Sequence, residues 1–206
     1  MSTTTTRPDL DPDGHPEELP ITSATLRKLW PTEHHLFRDH LMRLDKDSRR
    51  MRFAHGVSDY FIEDYAARMD EMGSIVFGYF VDGEIRAAAE LRKLADTWGE
   101  EAEAAFSVEQ AYQDLGIGSA LMGRVIRAAR NRGVRLLFMS CLAENTKMQA
   151  IAKKYEAVLR FEYGEVIGEI LPDGPDYFSL LAEAVDDRVG YMMAVLDLQA
   201  RLIKAA

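Results

Sequence analysis

One short segment of the chain combines residue types that could bind phosphate groups. This segment, Gln113-Asp114-Leu115-Gly116-Ile117-Gly118, lies between a strand-like stretch and a stretch with the apolar spacing of a helix. The two glycines permit a tight turn in which backbone N–H groups converge. The helix that follows adds its unpaired amide donors and the positive end of its dipole. The pattern therefore predicts a turn that binds a pyrophosphate.

Three interpretations of this turn compete. A dinucleotide-binding fingerprint requires Gly or Ala three residues after Gly118, where this chain has Leu121. A nucleotide triphosphate loop requires Lys and then Ser or Thr after the glycine, whereas Ser119 and Ala120 follow here. The third interpretation is an ordinary strand-to-helix turn without a ligand, which the turn alone leaves open.

The elements that must position this turn can be predicted from hydrophobic periodicity and turn residues. Before the turn, the pattern predicts a strand over 24–30, a helix ending near Leu44 and a second helix that begins at a Ser58 cap. Asp82-Gly83 between two strand-like runs predicts a β-hairpin, and Glu101 to Glu109 predicts a third antiparallel strand.

After the turn, Leu121 to Ala129 has the apolar stripe of a helix, which ends at Gly133. The near-continuous apolar run 134–142 predicts a strand buried on both faces. A helix is predicted over 145–155, followed over 158–171 by two strands or by one strand broken near Gly164. The predicted fold is therefore α/β (α+β), a mixed, mostly antiparallel central sheet flanked by helices.

Composition limits what the chain can do. Hydrophobic residues make up 47% and charged residues 29%, which is typical of a soluble globular protein. The net charge of −9 gives no general attraction to nucleic acid or to anionic membranes. One cysteine and five histidines without a ligand pattern predict no metal site. The N-terminal composition and the absence of a long apolar run predict a cytoplasmic protein without a membrane span.

The predicted organisation has three parts. Residues 1–20 are rich in Thr, Pro and acids and should form a disordered tail. Residues 21–172 should form the domain, and residues 173–206 a C-terminal helical extension. The extension has an amphipathic pattern that either covers its own domain or packs on a second subunit, which would give a homodimer.

The order of motifs resembles a known family. A strand, the Gln-x-x-Gly-x-Gly turn, an amphipathic helix, a buried strand and then Asn145-x-x-Met148 are similar to the acyl-CoA-binding core of the GNAT superfamily of N-acetyltransferases. The resemblance covers roughly residues 23–171. Within the superfamily, the sequence AEAAFSV over 102–108, followed by Tyr112-Gln113, is most similar to the acetyltransferase domain of bacterial Pat-type protein lysine acetyltransferases.

The resemblance implies a role for each part of the site. It implies a GNAT-like fold, acetyl-CoA as the acyl donor and an amine as the acceptor. The residues that it assigns to acetyl-CoA binding are Phe106, Val108, Gln113, Asp114, Leu115, Gly116, Ile117, Gly118, Ser119, Ala120 and Asn145. It also implies that the Val108 N–H hydrogen-bonds the thioester carbonyl, where negative charge grows during the reaction.

Deprotonation of the amine requires a general base, and the resemblance assigns this role to Glu103. Glu101 and Glu90 are the reserve candidates for the base. The alternative is that Glu103 belongs to an ordinary row of acids on the solvent-facing side of this strand and has no catalytic role.

The tyrosine that protonates the departing thiolate in many family members is replaced by Ala152. Asp114 places an acid beside the phosphate site, where an outward carboxylate would leave binding intact and an inward one would weaken it.

Two functions follow as hypotheses. The first is an acetyl-CoA-dependent N-acetyltransferase in which a protein lysine or a small amine attacks the thioester directly. The second is a catalytically weak acyl-CoA-binding module that senses CoA and acts through a protein partner. The cluster Arg49-Arg50-Met51-Arg52 is interpreted as a solvated loop near the substrate edge.

Overall fold

A seven-stranded sheet in the order β1-β2-β3-β4-β5-β7-β6 is the framework of the domain. The structure, a computed structural model, describes residues 24–69 and 73–205. All neighbouring strands pair antiparallel except β4 and β5, which pair parallel. The predicted mixed and mostly antiparallel sheet with flanking helices is confirmed. The tail predicted over 1–20 lies outside the described residues.

The elements follow the predicted order. The strands are β1 (Ala24–Lys28), β2 (Ile75–Val81), β3 (Glu84–Lys93), β4 (Glu101–Val108), β5 (Leu136–Leu142), β6 (Val158–Glu162) and β7 (Glu165–Ile170). The helices are α1 (His34–Arg43), α2 (Lys46–Phe53), α3 (Asp59–Ala67), α4 (Ile117–Asn131), α5 (Thr146–Lys154) and α6 (Tyr177–Ala205).

The predicted β2–β3 hairpin forms because its two turn residues accept a left-handed backbone. Asp82 has φ 53° and Gly83 has φ 79°, as a two-residue turn between right-twisted strands requires. The register then places Val81 opposite Glu84.

The core has two layers, one on each face of the sheet. On one face, α4 buries Leu121, Met122 and Val125 against the alanines of β3 and β4. On the other face, α1 and α3 bury Phe37 and Ile62 against β2 and β3. Small side chains on β3 and β4 let α4 approach this part of the sheet closely, which fixes where α4 begins.

Two local predictions are wrong. The Arg49–Arg52 cluster is not a loop: it belongs to α2, which Asp45 caps by accepting a hydrogen bond from the Ser48 N–H at 2.9 Å. Strand β5 is not buried on both faces, because its residues alternate between buried and more exposed positions.

The C-terminal extension covers its own domain. Helix α6 packs against β1 and α4, and Arg130 of α4 donates to Asp176 at 2.5 Å. Gly190 of α6 lets Arg27 of β1 approach closely: a Cβ at Gly190 would lie 3.0 Å from that of Arg27. Apolar side chains on the outer side of α6 stay exposed, for example Phe178 at 77%. No helix among the described residues is both long and apolar enough to span a membrane.

Candidate active site

The sheet opens between β4 and β5. These parallel strands pair only over Glu101–Glu103 with Leu136–Phe138, and β5 then continues against β7. The second half of β4, up to Val108, therefore has no strand beside it on the β5 side. A parallel pair that separates in this way leaves a cleft between two rows of backbone groups.

The backbone of β4 directs hydrogen-bonding groups into this cleft. Glu109 donates its N–H to the Arg86 carbonyl at 3.0 Å, and Ala87 lies opposite Val108 in the ladder. Bonded and non-bonded pairs alternate in an antiparallel ladder, so the N–H and C=O of Val108 face away from β3 and towards the cleft. The same alternation applies to Phe106. In agreement, the Val108 carbonyl accepts a hydrogen bond from Gln113 Nε2 at 3.2 Å.

A cavity of about 600 Å³ occupies the cleft. Its walls come from α2, the end of β4, the loop into α4 and the beginning of α5. Of the predicted site residues, eight line it: Phe106, Val108, Gln113, Asp114, Gly116, Gly118, Ser119 and Asn145. Four do not: Glu103, Leu115, Ile117 and Ala120. Leu115 is 68% exposed and Ile117 is buried in the core, so neither side chain faces the cavity.

The turn that is predicted to bind phosphate has the tight backbone conformation expected of it. Gly116 has φ 79° and is the N-cap of α4, whose first hydrogen bond runs from the Ala120 N–H to the Gly116 carbonyl at 3.0 Å. The N–H groups of the first helical turn have no partner within the helix and are available to a ligand. Gly118 lies so close to α5 that a Cβ there would be 2.8 Å from Ile151 Cδ1.

The Asp114 carboxylate points outward. Its side chain is 72% exposed and accepts from Lys147 Nζ at 2.8 Å. Lys147 also donates to Gln113 Oε1 at 3.0 Å, so one cation joins α5 to the first two residues of this segment. Of the two orientations considered for the Asp114 carboxylate, the structure has the outward one, and the backbone turn is intact. These surroundings fit a pyrophosphate, because Lys147 neutralises the charge of Asp114 and the backbone N–H groups of the turn remain available.

Asn145 has a structural partner as well as a place in the cavity wall. Its side-chain oxygen accepts from the Met148 N–H at 3.1 Å and caps α5. Tyr155, near the end of α5, donates its hydroxyl proton to the Ser119 carbonyl at 2.6 Å. Ala152, at the position of the absent tyrosine, is buried. Tyr155 therefore ties α5 to the start of α4.

Glu103 lies on the other side of β4 from α4. Its carboxylate accepts from Arg92 Nη2 at 2.8 Å, and its side chain is 34% exposed. It precedes Phe106 by about 10 Å along the strand and Val108 by about 17 Å. This span is long compared with a hydrogen bond, so a base role for Glu103 would require a bridging water.

The sequence analysis missed the wall that α2 contributes. Asp45, Asp47 and Ser48 line the cavity there, together with Met51 and Arg52. Asp45 three residues before Ser48 is an N-cap signal, and this could have revealed the helix. Periodicity does not reveal the helix, because it buries no apolar residue and therefore lacks an apolar stripe.

Arginine side chains hold α2 in place instead. Arg49 donates to the Met42 carbonyl at 2.6 Å and to the Leu44 carbonyl at 3.0 Å. Arg52 is buried against Glu90 and donates to the Tyr65 hydroxyl at 2.9 Å. Arg50 pairs with Glu144, which lines the cavity.

The model of the acetyltransferase (GNAT) family matches residues 38–156, more than half of the chain. The chain belongs to the GNAT acetyltransferase family. It is an N-acetyltransferase of the acyltransferase class, and the matched residues contain the cleft, the turn and α5.

Solved structures show the same fold. The GNAT domain of S. lividans PAT is 23% identical, with a TM-score of 0.62 over 72% of this chain and 90% of that one. A Salmonella typhimurium protein described as an acetyltransferase, solved with its cofactor acetyl-CoA, is 14% identical, with a TM-score of 0.55 over 76% of this chain and 99% of that one. A cAMP-binding acyltransferase from Mycobacterium smegmatis is 24% identical, with a TM-score of 0.53 over 84% of this chain and 52% of that one.

The Gly116→Ala variant is expected to bind acetyl-CoA about tenfold more weakly. An L-residue in the left-handed region costs about 1–2 kcal/mol, and each 1.4 kcal/mol changes the Kd about tenfold. Calorimetric titration with acetyl-CoA measures this. Gly99→Ala is the matched control, because a Cβ at Gly99 meets nothing within 4 Å and its backbone is ordinary. Equal Kd values for the two variants would show that the turn does not bind the ligand.

Proposed function

We propose that this GNAT enzyme transfers an acetyl group from acetyl-CoA to a primary amine, either a protein lysine or a small amine, by direct attack. The observation that carries the proposal is the cleft edge of β4. Its Phe106 and Val108 amides face the same cavity that the phosphate-binding turn lines. A thioester and a pyrophosphate therefore have binding groups in one cavity. Acetyl-CoA is a substrate here, and it supplies the activated acyl group.

The backbone groups of β4 orient the thioester. A donor already aimed at the carbonyl oxygen stabilises the negative charge that develops on it, without reorganisation at the moment of reaction. In this proposal the Val108 N–H is that donor. The turn over 113–120 and Asn145 hold the CoA portion.

Glu103 is the proposed general base, acting through a bridging water. It lies on the face of β4 that α2 covers, opposite the face that α4 covers. An amine that enters between α2 and β4 therefore approaches the thioester from the Glu103 side. No tyrosine occupies the position of the usual general acid, so the departing thiolate is protonated by solvent in this proposal.

The acceptor side favours a cationic substrate. Asp45, Asp47 and Glu144 are among the residues that line the cavity, and Glu144 pairs with Arg50. Hydrogen bonds from Ser48 lower the pKa of Asp45, so its carboxylate stays ionised. The chain as a whole carries −9. A protonated amine is attracted to these carboxylates before the base deprotonates it. The likeness to the GNAT domain of S. lividans PAT supports a lysine side chain as the acceptor.

One observation favours the second candidate, an acyl-CoA-binding module that acts through a protein partner. The outer side of α6 exposes a row of large apolar side chains, among them Phe178, Met192 and Leu196. Such a surface marks an interaction site. A homodimer through residues 173–206 is the related proposal, and deletion of this extension followed by a mass measurement in solution tests it.

Calorimetric titration with acetyl-CoA, and with NAD as a dinucleotide without the pantetheine arm, tests the proposed donor. We expect acetyl-CoA to bind and NAD to leave no detectable heat. Release of free CoA thiol in the presence of lysine peptides and small amines then identifies the acceptor. Absent acetyl-CoA binding would refute the proposal. Binding without transfer to any amine would favour the sensing module.

A further inference from the structure

Three polar side chains behind β4 are arranged in series. The Ser107 hydroxyl lies 2.9 Å from His40 Nε2, and His40 Nδ1 lies 3.2 Å from Glu109 Oε1. Ser107 and Glu109 flank Val108 on and just beyond β4, while His40 comes from α1. A hydroxyl, an imidazole that can take its proton and an acid that orients the imidazole form the arrangement of an activated nucleophile.

The surroundings fix the ionisation of the acid. Burial opposes the charge on Glu109, but His40 and Arg43 outweigh it and lower the pKa of the carboxyl below its usual range. Arg43 Nε donates to Oε1 at 3.0 Å, and Arg86 Nη1 donates to Oε2 at 3.3 Å. Glu109 is therefore a carboxylate near neutral pH and accepts the hydrogen bond from His40.

The carboxylate in turn fixes the tautomer of the imidazole. Because Glu109 can only accept, Nδ1 carries the proton, and the lone pair of Nε2 faces the Ser107 hydroxyl. Burial lowers the pKa of His40, so the ring is neutral near pH 7 and can take up a proton. These are the protonation states in which the serine oxygen is activated.

Ser107 also lies where an acyl group would arrive. It lines the cavity, and the residue that follows it, Val108, directs its N–H into the cleft. An amide donor next to a nucleophilic serine can stabilise the oxyanion that forms when the serine attacks a carbonyl. His40, in contrast, is fully buried and reaches the cavity only through Ser107.

We propose that Ser107 is a nucleophile that accepts the acetyl group from acetyl-CoA when no amine occupies the acceptor side. This inference rests on the proposed binding of acetyl-CoA in the cleft. Ser107 Oγ forms a bond to the thioester carbon, and the carbon–sulfur bond breaks. The proton passes from Oγ to His40 Nε2, and a proton from water in the cavity neutralises the departing thiolate of CoA. Water from the cavity then hydrolyses the ester to acetate, and His40 returns its proton to Oγ, which restores Ser107.

The test is mass spectrometry of the full chain after incubation with acetyl-CoA alone, with an acid quench. We expect one acetyl group on the peptide that contains Ser107. Hydroxylamine should remove it, because hydroxylamine cleaves esters and leaves lysine amides intact. Ser107→Ala should lose the adduct and the release of CoA thiol without amine, and His40→Gln should slow both about 100-fold. Ser107→Cys should retain a hydroxylamine-sensitive adduct.

Ser140→Ala is the matched control. Ser140 is an exposed strand serine that donates to Glu165 at 2.7 Å, and we expect this variant to keep the adduct. Acetyl-CoA titration of Ser107→Ala verifies that this variant is folded. An adduct that persists in Ser107→Ala, or one that resists hydroxylamine, would overturn the inference. So would binding and amine transfer without any ester, which would leave the proposed function intact. Absent acetyl-CoA binding in the parent chain would overturn both.

Discussion

The Glu103→Gln variant is expected to lose about 100-fold or more in kcat for transfer to an amine and to bind acetyl-CoA as tightly as the parent chain. Glutamine keeps the size of the side chain and can still accept a hydrogen bond from Arg92, which lies 2.8 Å from the carboxylate. It cannot take up a proton. General base catalysis contributes roughly 10²–10⁴ to such reactions, so the loss should fall on the chemical step.

Glu84→Gln is the control for this experiment. Glu84 is a half-exposed carboxylate that also pairs with an arginine, Arg86 at 2.7 Å, but it lies at the other end of β3 from Arg92. Steady-state kinetics with the best amine, together with acetyl-CoA titration, compares the two variants. An unchanged kcat in Glu103→Gln would mean that another group accepts the proton. Weaker acetyl-CoA binding would mean that Glu103 has a structural role instead.

Short sequence signals predicted several local features of the fold. Asp82-Gly83 determined a hairpin, the glycines at 116 and 118 determined a strand-to-helix turn, and Asn145 capped a helix, because each depends only on neighbouring residues. Helix α2 has no apolar stripe, so the sequence predicts a loop there. It is stable because Asp45 caps it and because its arginines bond to distant carbonyls and acids.

Contacts across the chain could not be predicted from spacing. Ser107 and His40 are 67 positions apart, and only the packing of α1 against β4 brings them together. Arg52 and Glu90 are 38 positions apart and are likewise brought together only by tertiary packing. A lone buried histidine has no periodic pattern, so the sequence offered no signal for the series His40, Ser107 and Glu109.

Two acidic residues have a backbone conformation that usually favours glycine. Asp114 and Glu156 are both left-handed, with φ 62° and 61°. At the second position the helix end still forms, since the Ala157 N–H donates to the Ala152 carbonyl at 3.1 Å. Local hydrogen bonds and the Lys147 pair thus hold conformations that the side chains disfavour.

The Arg52→Met variant is expected to lose about 3–5 kcal/mol of unfolding free energy. Removing one partner of a buried ion pair leaves the other charge without compensation, here Glu90, whose side chain is only 1% exposed. The Tyr65 hydroxyl still donates to Glu90 at 2.6 Å, but a neutral donor does not replace a cation. Urea denaturation measures the loss.

Two further variants distinguish the effect of leaving a buried charge unpaired from the effect of removing an arginine side chain. Arg38→Met removes an exposed arginine, with 46% of its side chain accessible, and should cost less than about 1 kcal/mol. The double variant Arg52→Met/Glu90→Leu removes both charges and should recover most of the stability, because two apolar groups need no compensation. If the double variant were as unstable as Arg52→Met, the arginine would act by anchoring α2 rather than by neutralising Glu90. The α2 wall of the cavity would then depend on Arg52 as well as on Arg49 and the Asp45 cap, and acceptor binding should fall together with stability.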